Sequence, residues 1–291
     1  MNELASLWIH QQDTFLLKYI VWCSIVFWFI IWIAIWTWGR KSISFFIKIY
    51  KKYFSLEILN SFPKINTFLV NRFDNSKLSG LPLSLAFSVF ITILLLLLGI
   101  TEDFIEQDFI IQIDYWVSKN IASIRSELVV VFFHFFTFLG NGKFVFFAFI
   151  IILIFMVSMY NYLWLYPLII SIVGSMSTAW LSKYFFLRPR PLEALIIETS
   201  PSFPSGHATI AMSFYAVLFY LWWKKANSWN MKIIISFLGS NFVLLLAFSR
   251  IIMGVHYLTD VIAGLLLGGL WFVIALSLYE WLDDKKYIKL K

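Results

Sequence analysis

Three short stretches set ionisable side chains against long apolar runs: "KYFFLRPRP" (183–191), "PSGH" (204–207) and "SRIIMGVHYLTD" (249–260). The last is the densest, holding Arg250, His256 and Asp260. His256 and Asp260 are four apart, so on a helix they share one face. A carboxylate there can hold one imidazole nitrogen and leave the other free to attack. It also stabilises charge forming on the ring, as in nucleophile triads. A purely structural His–Asp pair has the same spacing. A carboxylate one turn inside an apolar helix is expensive without a partner, however, so a functional role is the default reading.

The other two stretches offer groups that suit an anion. Lys183 and Arg190 are separated by six residues, and Pro191 ends any helix that reaches it. The planar fork of arginine matches phosphate oxygens, and lysine adds a mobile point charge. Taken alone, such residues are more often cations snorkelling from a helix end. "PSGH" opens an apolar run, where a helix N-terminus presents unpaired amides and a partial positive charge. Gly206 lets backbone approach a ligand, and Ser205 can cap the helix or donate its hydroxyl to a phosphate oxygen. His207 would project from the first turn, where it can protonate a leaving group. By themselves these four residues read equally well as an ordinary cap beside an interfacial histidine.

The elements that must position these groups are membrane helices. The 291 residues are 61% hydrophobic, 20% aromatic and only 13% charged, with a mean hydropathy of +0.83. Soluble domains average about one quarter charged residues. Seven apolar runs are long enough to cross a bilayer: about 15–38, 81–100, 143–160, 162–182, 206–223, 232–249 and 257–281. A shorter run, about 128–139, precedes "GNG" and is expected at the surface or as a half-helix. The N-terminus lacks a basic n-region, so the first run is expected to be a retained anchor rather than a signal peptide. Cys23 is the single cysteine, which excludes a disulfide framework.

Charge between the runs orients the chain. Residues 39–79 carry eight Lys/Arg against Glu57 and Asp74, whereas 101–127 carry Lys119 and Arg125 against six acids. The positive-inside rule therefore puts 39–79 in the cytoplasm and 101–127 outside. Alternation then makes Lys224, Lys225, Lys232 and the basic tail cytoplasmic, so the net charge of +7 is mostly topological and a nucleic-acid partner is excluded. Against that trend Lys183, Arg188, Arg190 and Arg250 fall outside, together with His207 and His256. Segment 43–54 has the pattern of an amphipathic helix on the anionic inner leaflet. Segment 112–126 has that of a helix floating over the outer face, with Ile113, Trp116, Val117, Ile121 and Ile124 at helical spacing. Packing on the rest of the protein explains either segment as well. His134 reads as a packing or interfacial residue, and the acids at 102–108 as a solvated loop rather than a metal site.

The three stretches, in this order, resemble the type 2 phosphatidic acid phosphatase superfamily, whose pattern is Lys-x6-Arg-Pro, Pro-Ser-Gly-His, then Ser-Arg-x5-His-x3-Asp. Every spacing is intact here. The resemblance covers about residues 81–281 and implies an all-α, polytopic membrane bundle: a six-span phosphatase core plus one N-terminal transmembrane helix. Residues 1–80 would form the anchor and cytoplasmic linker, 81–281 the core, and 282–291 a basic cytoplasmic tail. It also implies that His256 is the nucleophile forming a phosphohistidine, supported by Asp260, and that His207 is the general acid. Lys183, Arg190, Arg250, Ser205 and Gly206 would bind phosphate, with Arg188 as an accessory or a headgroup contact. No metal or other cofactor is implied.

The expected activity is a metal-independent lipid phosphatase at the extracytoplasmic face of a bacterial inner membrane, acting on a lipid phosphate in the bilayer. Undecaprenyl pyrophosphate is the first candidate. Phosphatidylglycerophosphate, phosphatidate and lipid A follow, the last with a phosphotransferase as an alternative. A non-catalytic lipid-phosphate binder or transporter is disfavoured, because binding alone needs only the cations and not both histidines. Glu193 and Glu198, in the loop after "RPRP", are expected to tune access or simply to be solvated.

Overall fold

A computed structural model describes residues 81–106, 109–159 and 162–289, with isolated helical residues between 23 and 34. Most of the expected anchor at 15–38, and all of segment 43–54, lie outside the described residues. Two compact units divide the chain, one holding Val89–Lys291 and the other Lys18–Ser88. The site described below lies wholly in the first.

Among the described residues every regular element is helical. In chain order they are α1 (Leu81–Glu106), α2 (Phe109–Ile121), α3 (Glu127–Leu139), α4 (Gly142–Ser158), α5 (Leu165–Phe186), α6, α7 (Trp229–Ile252) and α8 (Leu258–Lys289). Helix α6 has three parts, Gly206–Ile210, a π-helical turn Ala211–Tyr215, and Ala216–Lys225, with right-handed backbone at both joints. Every apolar run expected from 81 onward is therefore a helix.

Among the described residues four helical stretches are continuous and apolar enough to cross a membrane: Leu83–Asp103, Tyr162–Phe186, Trp229–Ile252 and Leu258–Asp283. The six-span expectation meets two shorter helices. α4 has 17 residues, about 26 Å at 1.5 Å per residue, slightly less than the hydrocarbon core. α6 is interrupted by its π turn, a feature that recurs near functional sites. The short run at 128–139 is α3, bent by 119° from the preceding helical stretch Ile110–Ile124. Ser126, extended at φ −69° and ψ 159°, makes that corner. The pair counts as a fifth span if its two arms are one broken crossing.

The bundle is apolar on its outside as well as its inside. On α4 alone Phe146, Phe147, Ile151, Ile154 and Phe155 are exposed, a surface that lipid covers and water does not. Inside, α8 packs on α2, α5, α6 and α7. Close approach depends on small residues, as in other membrane bundles. A Cβ on Gly264 would lie 2.5 Å from the Ser205 carbonyl oxygen, and one on Gly268 would lie 2.6 Å from that of Thr209. Gly264 and Gly268 are one turn apart on α8, so they let the backbone of "PSGH" lie directly on the helix that carries Asp260. Helix α2 does not float free. Its Asp114, Asn120 and Ile121 are buried, and it contacts α8 at Thr259.

Candidate active site

The sequence folds so that every charged junction arrives at the same end of the bundle. Lys183 lies in the last turn of α5, which stops at Leu187 in a left-handed conformation (φ 42°) before the "RPRP" prolines. Ser205 caps α6, and Arg250 lies in the last turn of α7. Two residues after α7, a turn at Gly254 leads into α8. Gly254 has φ +68°, and a Cβ there would meet the guanidinium of Arg125 and the carbonyl oxygen of Glu193, so glycine is required twice over.

Backbone and side-chain bonds stitch the loop at 187–205 to these ends. The Ser205 N–H donates to the Asp260 carbonyl (2.9 Å), joining the second motif to the third. Leu195 N–H donates to Met253 O (2.9 Å), and Ser202 N–H to Arg188 O (2.9 Å). Lys183 Nζ donates to the Pro201 carbonyl. Arg190 donates from Nε to Ser200 O (2.8 Å) and from Nη1 to Val255 O (2.7 Å). The Ser205 hydroxyl acts as the helix cap, accepting from Ala208 N–H at a long 3.5 Å.

At the centre is His256, buried. Its Nδ1 faces Asp260 Oδ2 at 3.5 Å, an ion-pair distance beyond good hydrogen-bond range, and Nδ1 makes no hydrogen bond. Its Nε2 lies 3.2 Å from Arg190 Nη1. A guanidinium only donates, so a hydrogen bond there makes Nε2 the acceptor and leaves the ring proton on Nδ1, towards Asp260. Burial pushes His256 down to about 4, against the opposing pull of Asp260, with Arg250 and Arg190 adding to the depression. The ring is therefore neutral at physiological pH, with its lone pair turned toward the cations.

Those cations hold one carboxylate. Glu198, from the loop, pairs with Arg190 Nη2 at 2.8 Å and with Arg250 Nη2. Burial alone would raise its carboxyl, but Arg250 and Arg190 outweigh burial and hold it below the usual carboxylate range. It is thus neither simply solvated nor remote, as the sequence left open. Arg250 is fully buried, yet its Nε and Nη1 have no hydrogen-bond partner among the described residues. His207 stands within electrostatic reach of Arg250, His256 and Arg190. A Cβ on Gly140 would lie 2.6 Å from the His207 ring and 2.7 Å from Leu246 Cδ2. The glycine of "GNG" thus forms the wall against which the imidazole rests.

The accessory arginine lies elsewhere. Arg188 is buried rather than turned to headgroups. It donates to Asp260 Oδ1 (2.6 Å), Thr259 Oγ1 (2.8 Å) and Asp114 Oδ2 (2.8 Å), with its guanidinium carbon 4.2 Å from the Tyr257 ring centre. The sequence reading passed over Asp114. Its signal was an acid three and seven residues before Val117 and Ile121, on the stripe that packs. Gly140 is the second residue that the motif spacings do not mark, although it opens "GNG". His134 is exposed on α3, away from the cluster.

Comparison with known proteins falls on the same residues. Residues 162–284 match the PAP2 superfamily, a range containing all three motifs. Phosphatidylglycerophosphatase B of Bacillus subtilis is 35% identical over 94 residues, 32% of this chain and 46% of that protein. The Escherichia coli protein named "Putative undecaprenyl-diphosphatase YbjG" is 26% identical over 128 residues, 42% of this chain and 60% of that protein. The chain thus spans about half the length of the curated relatives it matches. A crystal structure of a transmembrane PAP2-type phosphatidylglycerolphosphate phosphatase from Bacillus subtilis superposes with a TM-score of 0.54. That likeness has 25% identity and covers 69% of this chain and 96% of the other. All three motifs lie inside the matched range and gather at one end of a helical bundle, so residues 162–284 resemble a PAP2 superfamily domain in sequence and in the placement of their charged junctions.

Proposed function

We propose that this protein is an integral membrane phosphatase that hydrolyses a lipid phosphate or pyrophosphate at the extracytoplasmic face of a bacterial inner membrane. The observation that carries the reading is Arg250. Buried donors without partners are rare and need an explanation. Here two donors of Arg250 are orphaned in a cluster that also holds the His256 lone pair. Phosphate oxygens would satisfy them, displacing the Glu198 carboxylate that now bridges Arg190 and Arg250. Lys183 and the N-terminus of α6 at Ser205 and Gly206 complete the anion site.

The proposed chemistry assigns each of these groups a role. His256 Nε2 attacks phosphorus as the bond to the leaving oxygen breaks, and Asp260 stabilises the positive charge on the ring. His207 gives its proton to the leaving alcohol or phosphate, then takes one from water as water attacks the phosphohistidine. The N–P bond breaks, and inorganic phosphate leaves. The arginines, the lysine and the helix N-terminus hold the equatorial charge throughout, the electrostatic role that dominates phosphoryl transfer.

Substrate and orientation complete the proposal. Undecaprenyl pyrophosphate is the first substrate to test and phosphatidylglycerophosphate the second; the curated relatives carry names of these two kinds. The positive-inside rule supports an extracytoplasmic site, since Lys224, Lys225 and Lys232 lie at the other ends of α6 and α7. The test is phosphate release in EDTA from a panel of lipid phosphates and pyrophosphates. His256→Ala should lower turnover at least about 10³-fold. Wild-type rates in that variant would remove His256 as nucleophile. A reporter placed after Lys225 should be cytoplasmic and one near Glu198 external, and the reverse would overturn the orientation.

A further inference from the structure

Behind Asp260, on the side away from His256, two further buried charges form a chain. Asp114 and Asp260 are buried, at 1% and 0% exposure, and the guanidinium of Arg188 lies between them. Asp114 Oδ1 accepts the Thr259 N–H at 2.9 Å, and its Oδ2 accepts Arg188 Nη2 and the Thr259 hydroxyl. Asp260 Oδ1 accepts Arg188 Nη1, while its Oδ2 accepts Tyr257 N–H at 2.9 Å and faces His256. The order in space is Asp114, Arg188, Asp260, His256. Asp114 lies outside the range that matches the superfamily and comes from α2, a helix with none of the three motifs.

We propose that Asp114 and Arg188 are positioning residues for the nucleophile, acting through Asp260. Buried charge is tolerated only when it is paired and hydrogen-bonded. One guanidinium between two carboxylates leaves a single net negative charge, and the group turned to His256 is Asp260. If Asp114 were neutral, Arg188 would cancel Asp260 instead, and the imidazole would lose the charge that supports it while it carries phosphorus. Geometry makes the same case. Asp114 binds the first-turn amide of α8 and the arginine together, so α2 fixes both where α8 begins and which Asp260 oxygen Arg188 takes. The other oxygen is thereby left for Nδ1. Both terminal nitrogens of Arg188 are engaged on this side, away from the Arg190–Arg250 pair that holds Glu198.

This inference rests on the phosphatase reading, so its test uses two readouts that fail separately. In the full-length protein, Asp114→Asn is close in shape and removes the charge. It should lower kcat about 10- to 100-fold, as loss of supporting partners does elsewhere. KM and inhibition by inorganic phosphate should stay within about threefold. Added to Asp260→Asn, it should cause little further loss, because both act through the same carboxylate. The second readout needs no turnover. With ¹⁵N-histidine labelling, His256, assigned through His256→Gln, should carry its proton on Nδ1 in the wild type. In Asp114→Asn that population should shift toward the Nε2 proton. Should Asp114→Asn not fold, Thr259→Val removes the bridging hydroxyl and should lower kcat several-fold with the same nuclear magnetic resonance shift. A wild-type kcat and unchanged tautomer would overturn the proposal. So would full additivity with Asp260→Asn, or a rise in the phosphate inhibition constant with kcat intact. A wild-type protein that releases no phosphate, while its tautomer still responds to Asp114, would overturn the phosphatase reading alone.

Discussion

Both ends of the α6–α8 bundle carry lysine or arginine against acids, but the two ends balance charge differently. At the end away from the site, Lys224 Nζ reaches Glu280 at 2.8 and 2.9 Å and Asp283 at 2.9 Å, and it lies over the Tyr279 ring at 4.4 Å. The Tyr220 hydroxyl also donates to Glu280. One cation there meets two carboxylates, and its donors are used. At the motif end Arg190 and Arg250 share the carboxylate of Glu198, Lys183 donates to the Pro201 carbonyl instead, and two buried donors of Arg250 have no partner among the described residues. The same residue types thus make a latch at one end and, at the other, a cluster with more cationic donors than carboxylate oxygens to receive them. The sum of charges and the orphaned donors tell them apart; the mere presence of ion pairs does not.

The sharpest way to break that contrast is to remove the excess donors. Arg250→Lys keeps a positive charge but loses the planar fork, and at a buried site that change is not conservative. Phosphate release should fall about 10²- to 10³-fold, the effect of losing one preorganised donor to transition-state charge. Inhibition by inorganic phosphate should weaken as well. Steady-state kinetics on the preferred lipid would check both, and a kcat near that of the wild type would mean that the orphaned donors do not serve the reaction.

A smaller effect is expected at Gly140, which carries no charge. The methyl of Gly140→Ala has no room beside His207 and Leu246, so the imidazole must shift by some tenths of an ångström. With His207 in its proposed role of general acid, that displacement should lower kcat about tenfold while KM holds. Leaving groups that need no protonation, such as a nitrophenolate ester, should be affected less. Equal losses on both esters would place the damage somewhere other than His207.

What the sequence made legible follows from the range of each signal. Hydropathy located the helices from residue 81 onward because a bilayer-crossing run is long and local. The motif spacings brought Lys183, Arg190, Ser205, His207, Arg250, His256 and Asp260 to one end, because each sits where a run starts or stops. Charges on separate elements that meet only in three dimensions left no such mark. Asp114 carries only a weak mark, its place on the packing stripe of an amphipathic segment, and Glu198 reads as a loop residue that tunes access or is solvated. Arg188 lost to Arg190 on spacing alone, yet burial gives each arginine a different partner. The shortness of α4 and the π turn in α6 escaped as well, since hydropathy reports apolar length but neither pitch nor hydrogen-bond register.

Glu198 offers a finer test of the same contrast. Its carboxylate pairs with both Arg190 and Arg250, so under the proposed function an anion must compete with it. Glu198→Gln removes that competition while keeping the side-chain shape. The inhibition constant for inorganic phosphate should fall by a few-fold, with a smaller change in kcat, as expected when a charge pair worth about 1 kcal/mol is exchanged. An inhibition constant that rises instead would make Glu198 a support of the site rather than its occupant.

The smallest catalytic effect belongs to the latch. Lys224→Met keeps the length of an apolar stem but leaves Glu280 and Asp283 facing each other half-buried, without their shared cation. Like charges in that position should cost about 1–2 kcal/mol of stability, more than an exposed pair and less than a fully buried one. The apparent melting temperature in detergent should drop by a few degrees. Yet kcat, KM and the phosphate inhibition constant should all stay within about twofold, because no group at that end touches the cluster around His256. Glu280→Gln should behave alike and more mildly, since Asp283 still holds Lys224. A tenfold fall in kcat without loss of folded protein would mean that the two ends are mechanically coupled along α6 and α8. The π turn at Ala211–Tyr215, between the latch and the site on α6, would then be the first place to look for the coupling.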